Sequence, residues 1–231
     1  MAYRPPLIKG PVYITIAASV RSPDIQALAI SAGWVGYEPL YCTVNAGVDV
    51  ATLTVANIPD YLLTVVNRGR IGGVSNGGTG LVAAIKFNLD NTGGIIFGGG
   101  GQGGQGQNVN IFRGTGYVAV GTGGSGGSGA GFNGANPPVM LTASSGSSGS
   151  SQTVGGPNIG GTTQGTATGG SGGSGGAIGM AGNNGGPAST SGSFETSTYY
   201  GTTTGEPAGY AIDGIANVNI LATGSILGRT R

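Results

Sequence analysis

The chain of 231 residues contains no histidine and a single cysteine, Cys42. A lone cysteine leaves no intrachain disulfide framework and no thiolate cluster for a metal ion. Without histidine, general acid–base catalysis would depend on carboxylates, lysine, tyrosine or cysteine. The eight acidic residues are dispersed, and no two of them form a close pair in sequence of the kind that glycosidases use. We therefore expect no metal ion, no cofactor and no enzymatic activity.

Charged residues are also scarce, at 7% of the chain against about 25% in an ordinary soluble domain. The net charge is +1, so the surface lacks the basic patch that nucleic acid or an anionic membrane requires. No apolar run reaches the length of a membrane span, about 18 residues. The glycine run 98–106 lacks the Gly-Lys-Ser/Thr ending of a phosphate loop. The sequence predicts no nucleic-acid partner and no membrane insertion.

Glycine is abundant, and it divides the chain into two parts. Residues 1–68 contain four glycines, and residues 69–231 contain the other 49 of the 53. The first part has the patterns of a small α/β unit, with a helix that begins near Ser22-Pro23-Asp24 and ends at Gly33. Its strand candidates, rich in β-branched residues, are Val12–Ile16, Leu40–Val44, Val50–Val55 and Leu62–Val66. We expect Trp34, Tyr41 and Cys42 to lie in its core.

A three-residue period indicates that the glycine-rich part is folded rather than disordered. The repeat Gly-Gly-Ser appears in residues 123–129 and again in 169–176. A polyproline II helix has three residues per turn, so this repeat places glycine in two of its three columns. Helices without side chains on two sides can approach until their backbones exchange hydrogen bonds. The period predicts packed polyglycine II helices.

A recurring strand motif that ends in glycine brackets the glycine-rich part. Its copies span residues 63–72, 85–98 and 218–228. The third copy closes the chain, and we expect it to pair with the copies that open the glycine-rich part. The sequence thus predicts a mostly β or irregular fold, with an N-terminal unit at 1–68. A polyglycine II domain at 69–231 follows, closed by a C-terminal strand.

The less regular stretches are predicted to be loops between glycine helices. They run at about 107–120, 132–154 and 187–204, and they hold most of the large side chains beyond residue 106. A core of packed glycine helices has no room for these side chains, so they collect at the turns between the helices. Each of them either fills an end of the bundle or lies exposed. Tyr199 and Tyr200 are the best candidates for exposure, because neighbours in an extended chain point in opposite directions.

Three motifs carry a resemblance to a known group. They are Asn67-Arg68-Gly69-Arg70-Ile71, Asn91-Thr92-Gly93-Gly94-Ile95 and the ending Gly209-Tyr210-Ala211-Ile212-Asp213-Gly214. Together with the glycine runs, these motifs resemble the glycine-rich receptor-recognition domains of phage tail fibres and tail tips. The distal adhesins of T-even-type long tail fibres belong to this group. The resemblance covers residues 60–231.

The resemblance implies a polyglycine II sandwich in a phage tail, with variable loops at one end. These loops would touch an outer-membrane protein or a surface glycan of a host bacterium. Residues 1–68 would attach to other phage tail proteins. Interfaces are anchored by a few large side chains, with serine, glycine and asparagine around them. The candidate receptor-binding residues at the loop tips are Phe132, Pro137, Pro138, Met140, Phe194, Tyr199 and Tyr200.

Two other functions fit part of the pattern. A structural tail-tip or fibre component would contact only other virion proteins, and an unbroken glycine bundle would suit it. An ice-binding protein would need a flat, regular face, whereas the glycine runs here are interrupted by loops of unequal length. Long loops with aromatic side chains favour recognition.

Overall fold

The computed structural model describes residues 10–113, 117–154, 165–201 and 203–231. The elements in chain order are β1 Val12–Ile16, β2 Val20–Arg21, α1 Ile25–Ser31, β3 Leu40–Val44, β4 Asp49–Ala51, β5 Leu53–Val55, β6 Leu63–Asn67, β7 Arg70–Gly72, β8 Leu81–Ala83, β9 Phe87–Asp90, β10 Ile95–Phe97, β11 Asn108–Arg113, β12 Tyr117–Gly121, β13 Gly131–Phe132, β14 Met140–Leu141, β15 Ser151–Val154, β16 Gly165–Thr168, β17 Ser189–Gly192, β18 Thr196–Tyr200, β19 Tyr210–Asp213, the 3-10 helix η1 Ile215–Asn217, β20 Val218–Ala222, β21 Ser225–Leu227 and β22 Arg229–Thr230. The predicted predominance of β structure is confirmed.

Three parallel sheets form a solenoid at one end of the molecule. The first sheet has the order β1-β3-β6-β9-β20, the second β2-β4-β7-β10-β21 and the third β22-β19-β8-β5. The chain visits the three sheets in the same order in successive turns, as β3-β4-β5 and then β6-β7-β8. Each turn alone cannot bury its apolar face, so the turns stack and share one core. The N-terminal part is therefore a solenoid with one short helix rather than an α/β unit.

The helix α1 covers the first turn of this solenoid. Ile25 and Ala29 are buried, and the side chain of Asp24 accepts a hydrogen bond from the backbone of Ala27. The N-cap of the helix is thus Asp24, the last residue of the predicted helix start Ser22-Pro23-Asp24. Its carboxylate reaches a free N–H group of the first helical turn, which the hydroxyl of Ser22 was expected to do. Gly33 follows the helix with a φ of +90°, as expected for the residue that ends it.

Three copies of the glycine-ended motif stack in register. Strands β6, β9 and β20 are neighbours in the first sheet, and β7, β10 and β21 are neighbours in the second. At the corner between these sheets, the amide of Asn67 donates to the side-chain oxygen of Asn91 over 2.7 Å. Asn91 in turn donates to the carbonyl oxygen of Thr223 over 2.6 Å. The predicted pairing of the closing motif with the earlier copies is confirmed.

The glycine-rich region is an insertion within this solenoid. It leaves after β10 and returns at β19, and the turn that it interrupts uses β9, β10 and β19 as its three sides. One hydrophobic core runs from Ile14 to Ile212, so the boundary expected between residues 68 and 69 falls between two strands of the same core. The rise in glycine content at residue 69 precedes the insertion by about 30 residues, because the connections between β7, β8, β9 and β10 contain glycines of their own.

Six extended segments without strand assignment form the centre of the insertion. Segments 1 to 6 span residues 99–107, 122–130, 144–150, 169–176, 180–186 and 203–209. Backbone N–H groups three residues apart donate from one segment to the next. The pairs include Gly100–Ala130, Gly103–Gly127 and Gly106–Gly124 between segments 1 and 2, and Gly124–Gly170, Gly127–Gly173 and Ala130–Gly176 between segments 2 and 4.

The pattern of these bonds arranges the segments in two layers of three. Segment 1 is bonded to segments 2 and 6, and segment 4 is bonded to segments 3 and 5. Further bonds join segments 2 and 3, 2 and 4, 1 and 4, 1 and 5, and 5 and 6 across the layers. The layers are therefore 2-1-6 and 3-4-5, and each inner segment has its backbone groups paired on several sides.

Segment 3 lies inside the predicted loop 132–154, and that loop is therefore not a single loop. Serine replaces glycine along its inner edge. Ser144 and Ser147 donate from their backbone N–H to Ser128 and Ser125, and their hydroxyls accept from the N–H groups of the same two residues. The two hydroxyls of segment 3 thus act as acceptors for N–H groups at the edge of segment 2.

The two layers continue into two antiparallel sheets at the end far from the solenoid. Segments 2, 1 and 6 lead into the sheet β12-β11-β18, and segments 3, 4 and 5 lead into the sheet β15-β16-β17. We call these the tyrosine sheet and the hydroxyl sheet, and together they form the distal sandwich. Turns occur at both ends of the segments, whereas the sequence predicted loops at one end only.

We expect Gly126→Ala to lower the free energy of unfolding by about 3 kcal/mol, because overpacking of a close-packed interior has this order of cost. A Cβ on Gly126 would overlap the carbonyl oxygen of Gly103 in segment 1. The neighbouring Ser125→Ala is the matched control, since Ser125 is exposed. Thermal unfolding of both variants measures the difference. Equal stability would contradict the close backbone packing.

Candidate functional site

The predicted site residues lie at opposite ends of the glycine segments. Residues 132–141 connect segment 2 to segment 3 beside the solenoid, where Phe132 pairs with Val74. Residues 189–200 connect segment 5 to segment 6 at the far end, within the distal sandwich. The structure therefore brings together Phe194, Tyr199 and Tyr200, and it separates them from the other four residues.

Phe132 belongs to the interior. Its side chain is fully buried, and its ring lies 5.2 Å from that of Phe97. The guanidinium of Arg70 lies 5.9 Å from the ring centroid, and Asp49 holds that guanidinium with two hydrogen bonds of 2.7 Å. Phe132 thus fills the junction between solenoid and segments. Of the two placements that the sequence left open, it has the one that fills an end of the bundle.

The three neighbouring candidates differ in exposure. Pro138 is buried, Met140 is half-buried against Phe132, and Pro137 is exposed. Arg21 of the solenoid reaches this turn, because its side chain donates to the carbonyl oxygen of Gly134. The turn 133–139 therefore binds the solenoid rather than extending from the tip.

The distal sandwich has a small apolar core of its own. Its two sheets enclose buried side chains with Phe194 half-buried against them. These buried residues are Val109, Ile111, Ala119, Val154 and Ala167. Strand β16 packs against β11 and β12, and β15 packs against β12, and the small side chains of Ala119 and Ala167 let the two sheets approach closely. The core fixes β18, the edge strand of the tyrosine sheet, in place.

Tyr199 and Tyr200 project from β18 in opposite directions, as predicted from their adjacency. Their exposed fractions are 43% and 45%. The hydroxyl of Tyr199 lies 3.1 Å from that of Thr190 in the hydroxyl sheet, so this side chain spans the open edge of the sandwich. The hydroxyl of Tyr200 donates to Asn110 of the neighbouring strand β11 over 3.2 Å. Each ring is held by one bond and keeps a face toward solvent.

The outer surface of the hydroxyl sheet consists of serine and threonine. Along these strands, the serine and threonine residues of the outer surface alternate with residues that face the sandwich core. Two pairs of them, on the neighbouring strands β15 and β16, are bonded through their hydroxyls. These pairs are Ser151–Thr168 at 2.5 Å and Thr153–Thr166 at 3.1 Å. The surface offers donors and acceptors without charge.

The described residues show no arrangement for catalysis or metal binding. Cys42 is fully buried, and burial raises the pKa of its thiol to about 12, so it is not a thiolate nucleophile. Within the described ranges, no group of three histidine, cysteine or acidic side chains could hold a metal ion. What the tip can offer chemically is recognition by aromatic rings, hydroxyls and amides.

Sequence reasoning missed the partners of the two tyrosines. Thr190 and Asn110 lie 9 and 90 residues away from them, on strands whose register depends on the folded sandwich. The alternation of Thr166 and Thr168 with glycine and alanine in β16 was a signal for a strand with one exposed face. Nothing in their spacing indicated which strand pairs with which.

A family model described as "Phage tail fibre adhesin Gp38" matches residues 11–231. The chain belongs to this family of phage tail fibre adhesins. The adhesin is thus a component of the virion tail, and membership of this family indicates a structural or binding protein rather than an enzyme. The resemblance inferred from the sequence is confirmed.

One solved structure resembles the adhesin over most of its length. It is the crystal structure of the gp37-gp38 adhesin tip complex of the bacteriophage S16 long tail fiber, with 19% sequence identity. The match covers 96% of this chain and 82% of that chain, with a TM-score of 0.43. No curated protein matches the adhesin. In the part of the chain that the structure describes, no helix is long and apolar enough to cross a membrane.

We expect Phe132→Ala to lower the free energy of unfolding by about 4 kcal/mol, the usual order for a large buried aromatic. Val139→Ala, in the same turn but 55% exposed, should change it by less than about 0.5 kcal/mol. Thermal unfolding of the two variants provides the test. An unchanged midpoint for Phe132→Ala would mean that this ring is not part of the junction core.

Proposed function

We propose that the adhesin binds a receptor on the surface of a host bacterium through its distal sandwich. The observation that carries this proposal is the placement of Tyr199 and Tyr200. They lie at the end farthest from the solenoid, exposed and held at fixed positions by Thr190 and Asn110. Rigid aromatic side chains surrounded by small polar ones are typical of recognition surfaces.

The other predicted receptor contacts divide according to their position. Phe194 supports the tip from within the sandwich core, where it can position β18. Phe132, Pro138 and Met140 are turned into the junction with the solenoid, and Pro137 is exposed at that same end. We therefore assign direct receptor contact to the two tyrosines and positioning to Phe194.

We also propose that segments 1 to 6 are packed polyglycine II helices. The bonds between neighbouring segments recur at every third residue, which is the turn length of that helix. The inward columns are glycine at positions where a Cβ would overlap a neighbouring carbonyl group. Such a lattice would act as a rigid stalk of about 3.1 Å per residue that holds the tip away from the solenoid.

Replacing both Tyr199 and Tyr200 with alanine should reduce attachment to host cells at least tenfold, about 1.4 kcal/mol. The reason is loss of two exposed rings from the proposed contact surface. Adsorption of virions that carry the variant measures the effect, and thermal unfolding of the purified variant shows whether the fold is retained. Ser145→Ala, exposed on segment 3, is the control. Normal adsorption of the double variant would favour a purely structural role in the tail tip.

At the opposite end, we propose that the first turns of the solenoid attach to another phage tail protein. An apolar groove of about 450 Å³ runs between α1 and the strands β1 and β2, with Ile16, Val20 and Leu28 in its wall. Leu28 is 40% exposed although it is apolar. This groove lies within the attachment unit expected at residues 1–68, of which residues 1–9 fall outside the described ranges.

We expect Leu28→Glu to reduce incorporation of the adhesin into virions, because a buried carboxylate without a partner opposes docking of an apolar surface. The matched control is Leu221→Glu, another exposed leucine, on the last turn of the solenoid. Immunoblots of purified virions measure incorporation, and soluble yield shows that both variants fold. Equal incorporation would place the attachment surface elsewhere.

A further inference from the structure

We propose that the outer face of the tyrosine sheet around Tyr200 and Asn110 binds a neutral saccharide of the bacterial surface. This inference rests on the proposed function of the tip and names the class of ligand that the tip recognises. It is carried by three features of that face: a fixed ring, two asparagine amides with available donors, and the scarcity of charge around them.

Four polar or aromatic side chains share this face by strand register. Asn108 is opposite Tyr200, and Asn110 is opposite Thr198, in the antiparallel pair of β11 and β18. The alternate residue of β11, Val109, is buried in the sandwich core, so the four side chains point away from that core. The ring of Tyr200 therefore lies beside two amides and a hydroxyl on one open surface.

The bonds of this face fix the ring and leave donors for a ligand. Tyr200 donates its hydroxyl proton to the amide oxygen of Asn110, and the backbone N–H of Gly123 donates to the amide oxygen of Asn108 over 2.8 Å. Both amide oxygens are thus engaged. Among the described residues, neither amide nitrogen donates a hydrogen bond to the protein. Each keeps two N–H donors next to the exposed ring.

This combination matches the two surfaces of a sugar ring. The C–H groups on one face of a sugar are apolar and carry partial positive charge, which suits the negative face of an aromatic ring. The hydroxyls at its rim accept from amide N–H groups and exchange bonds with a threonine hydroxyl. A ring already held in place loses little conformational freedom when the ligand binds.

The scarcity of charge favours a neutral saccharide over a protein loop or a phosphorylated glycan. Residues 107–201 contain one basic residue, Arg113, and one acidic residue, Glu195. Charged groups of a docked protein loop would lose water on this face and find almost no partner of opposite sign. Neutral hydroxyls lose less and are paired by the groups present. The face thus suits a ligand that is polar throughout and uncharged.

The variant Asn110→Asp separates ligand binding from the structural role of this side chain. A carboxylate still accepts the hydrogen bond from Tyr200, but it has no N–H to donate to a sugar. The matched control is Asn88→Asp on the solenoid, where the amide oxygen of Asn88 also accepts a side-chain bond, from Asn219 over 2.7 Å. The probe is surface polysaccharide from a strain that the full-length adhesin binds, freed of protein by protease digestion.

We expect the unaltered adhesin and Asn88→Asp to bind this polysaccharide equally in equilibrium titrations, and Asn110→Asp and Tyr200→Ala to bind at least tenfold more weakly. Unfolding midpoints should show that the variants are folded. Periodate oxidation of the cells, which cleaves neighbouring sugar diols, should abolish attachment, and protease treatment should not.

Two results would overturn the proposal while leaving a receptor-binding tip intact. One is attachment that survives periodate and is lost on protease treatment, which identifies a protein receptor. The other is polysaccharide binding by Asn110→Asp that equals that of the unaltered adhesin. Normal attachment of Tyr200→Ala to untreated cells would instead contradict the proposed function of the tip itself.

Discussion

Backbone hydrogen bonding between glycine segments is the constraint on which the rest of the insertion depends. Each segment has too few side chains to form a hydrophobic core, so its N–H and C=O groups must find partners in neighbouring segments. The lattice permits this only where a Cβ is absent on the inward columns, as at Gly103 and Gly126. The large side chains are consequently moved to the two ends, into the junction core around Phe132 and the tip around Tyr200.

The same constraint explains how much of this fold could be predicted from the sequence. The Gly-Gly-Ser period indicated segments 2 and 4, and the recurring strand motif indicated the stacking of β6, β9 and β20. Segment 3 was missed because Ser144 and Ser147 occupy columns where the period suggests glycine, and their hydroxyls pair the edge of segment 2. That role depends on which segment is the neighbour, and sequence spacing does not contain this information.

For the candidate site, composition indicated which stretches carry large side chains, but not at which end of the molecule each stretch lies. The exposure of Tyr199 and Tyr200 followed from their adjacency in an extended chain and is confirmed. Phe132 and Met140 lie in a stretch of similar composition, yet they pack in the junction with the solenoid, where Arg70 and Phe97 contact Phe132. An aromatic residue at a turn is exposed only if no second unit covers that turn, and the covering unit here precedes it by more than 30 residues.

The insertion of the glycine segments into one turn of the solenoid has a consequence for biosynthesis. The bond from Asn91 to Thr223 joins residues 132 positions apart, so this turn cannot close until the chain as far as Thr223 has left the ribosome. Contacts of such separation form late, because a long loop must be ordered first. Until then the strands β9 and β10 present unpaired edges. A prematurely terminated chain would keep those edges open, and cellular proteases could remove it before it competes for a place in the virion.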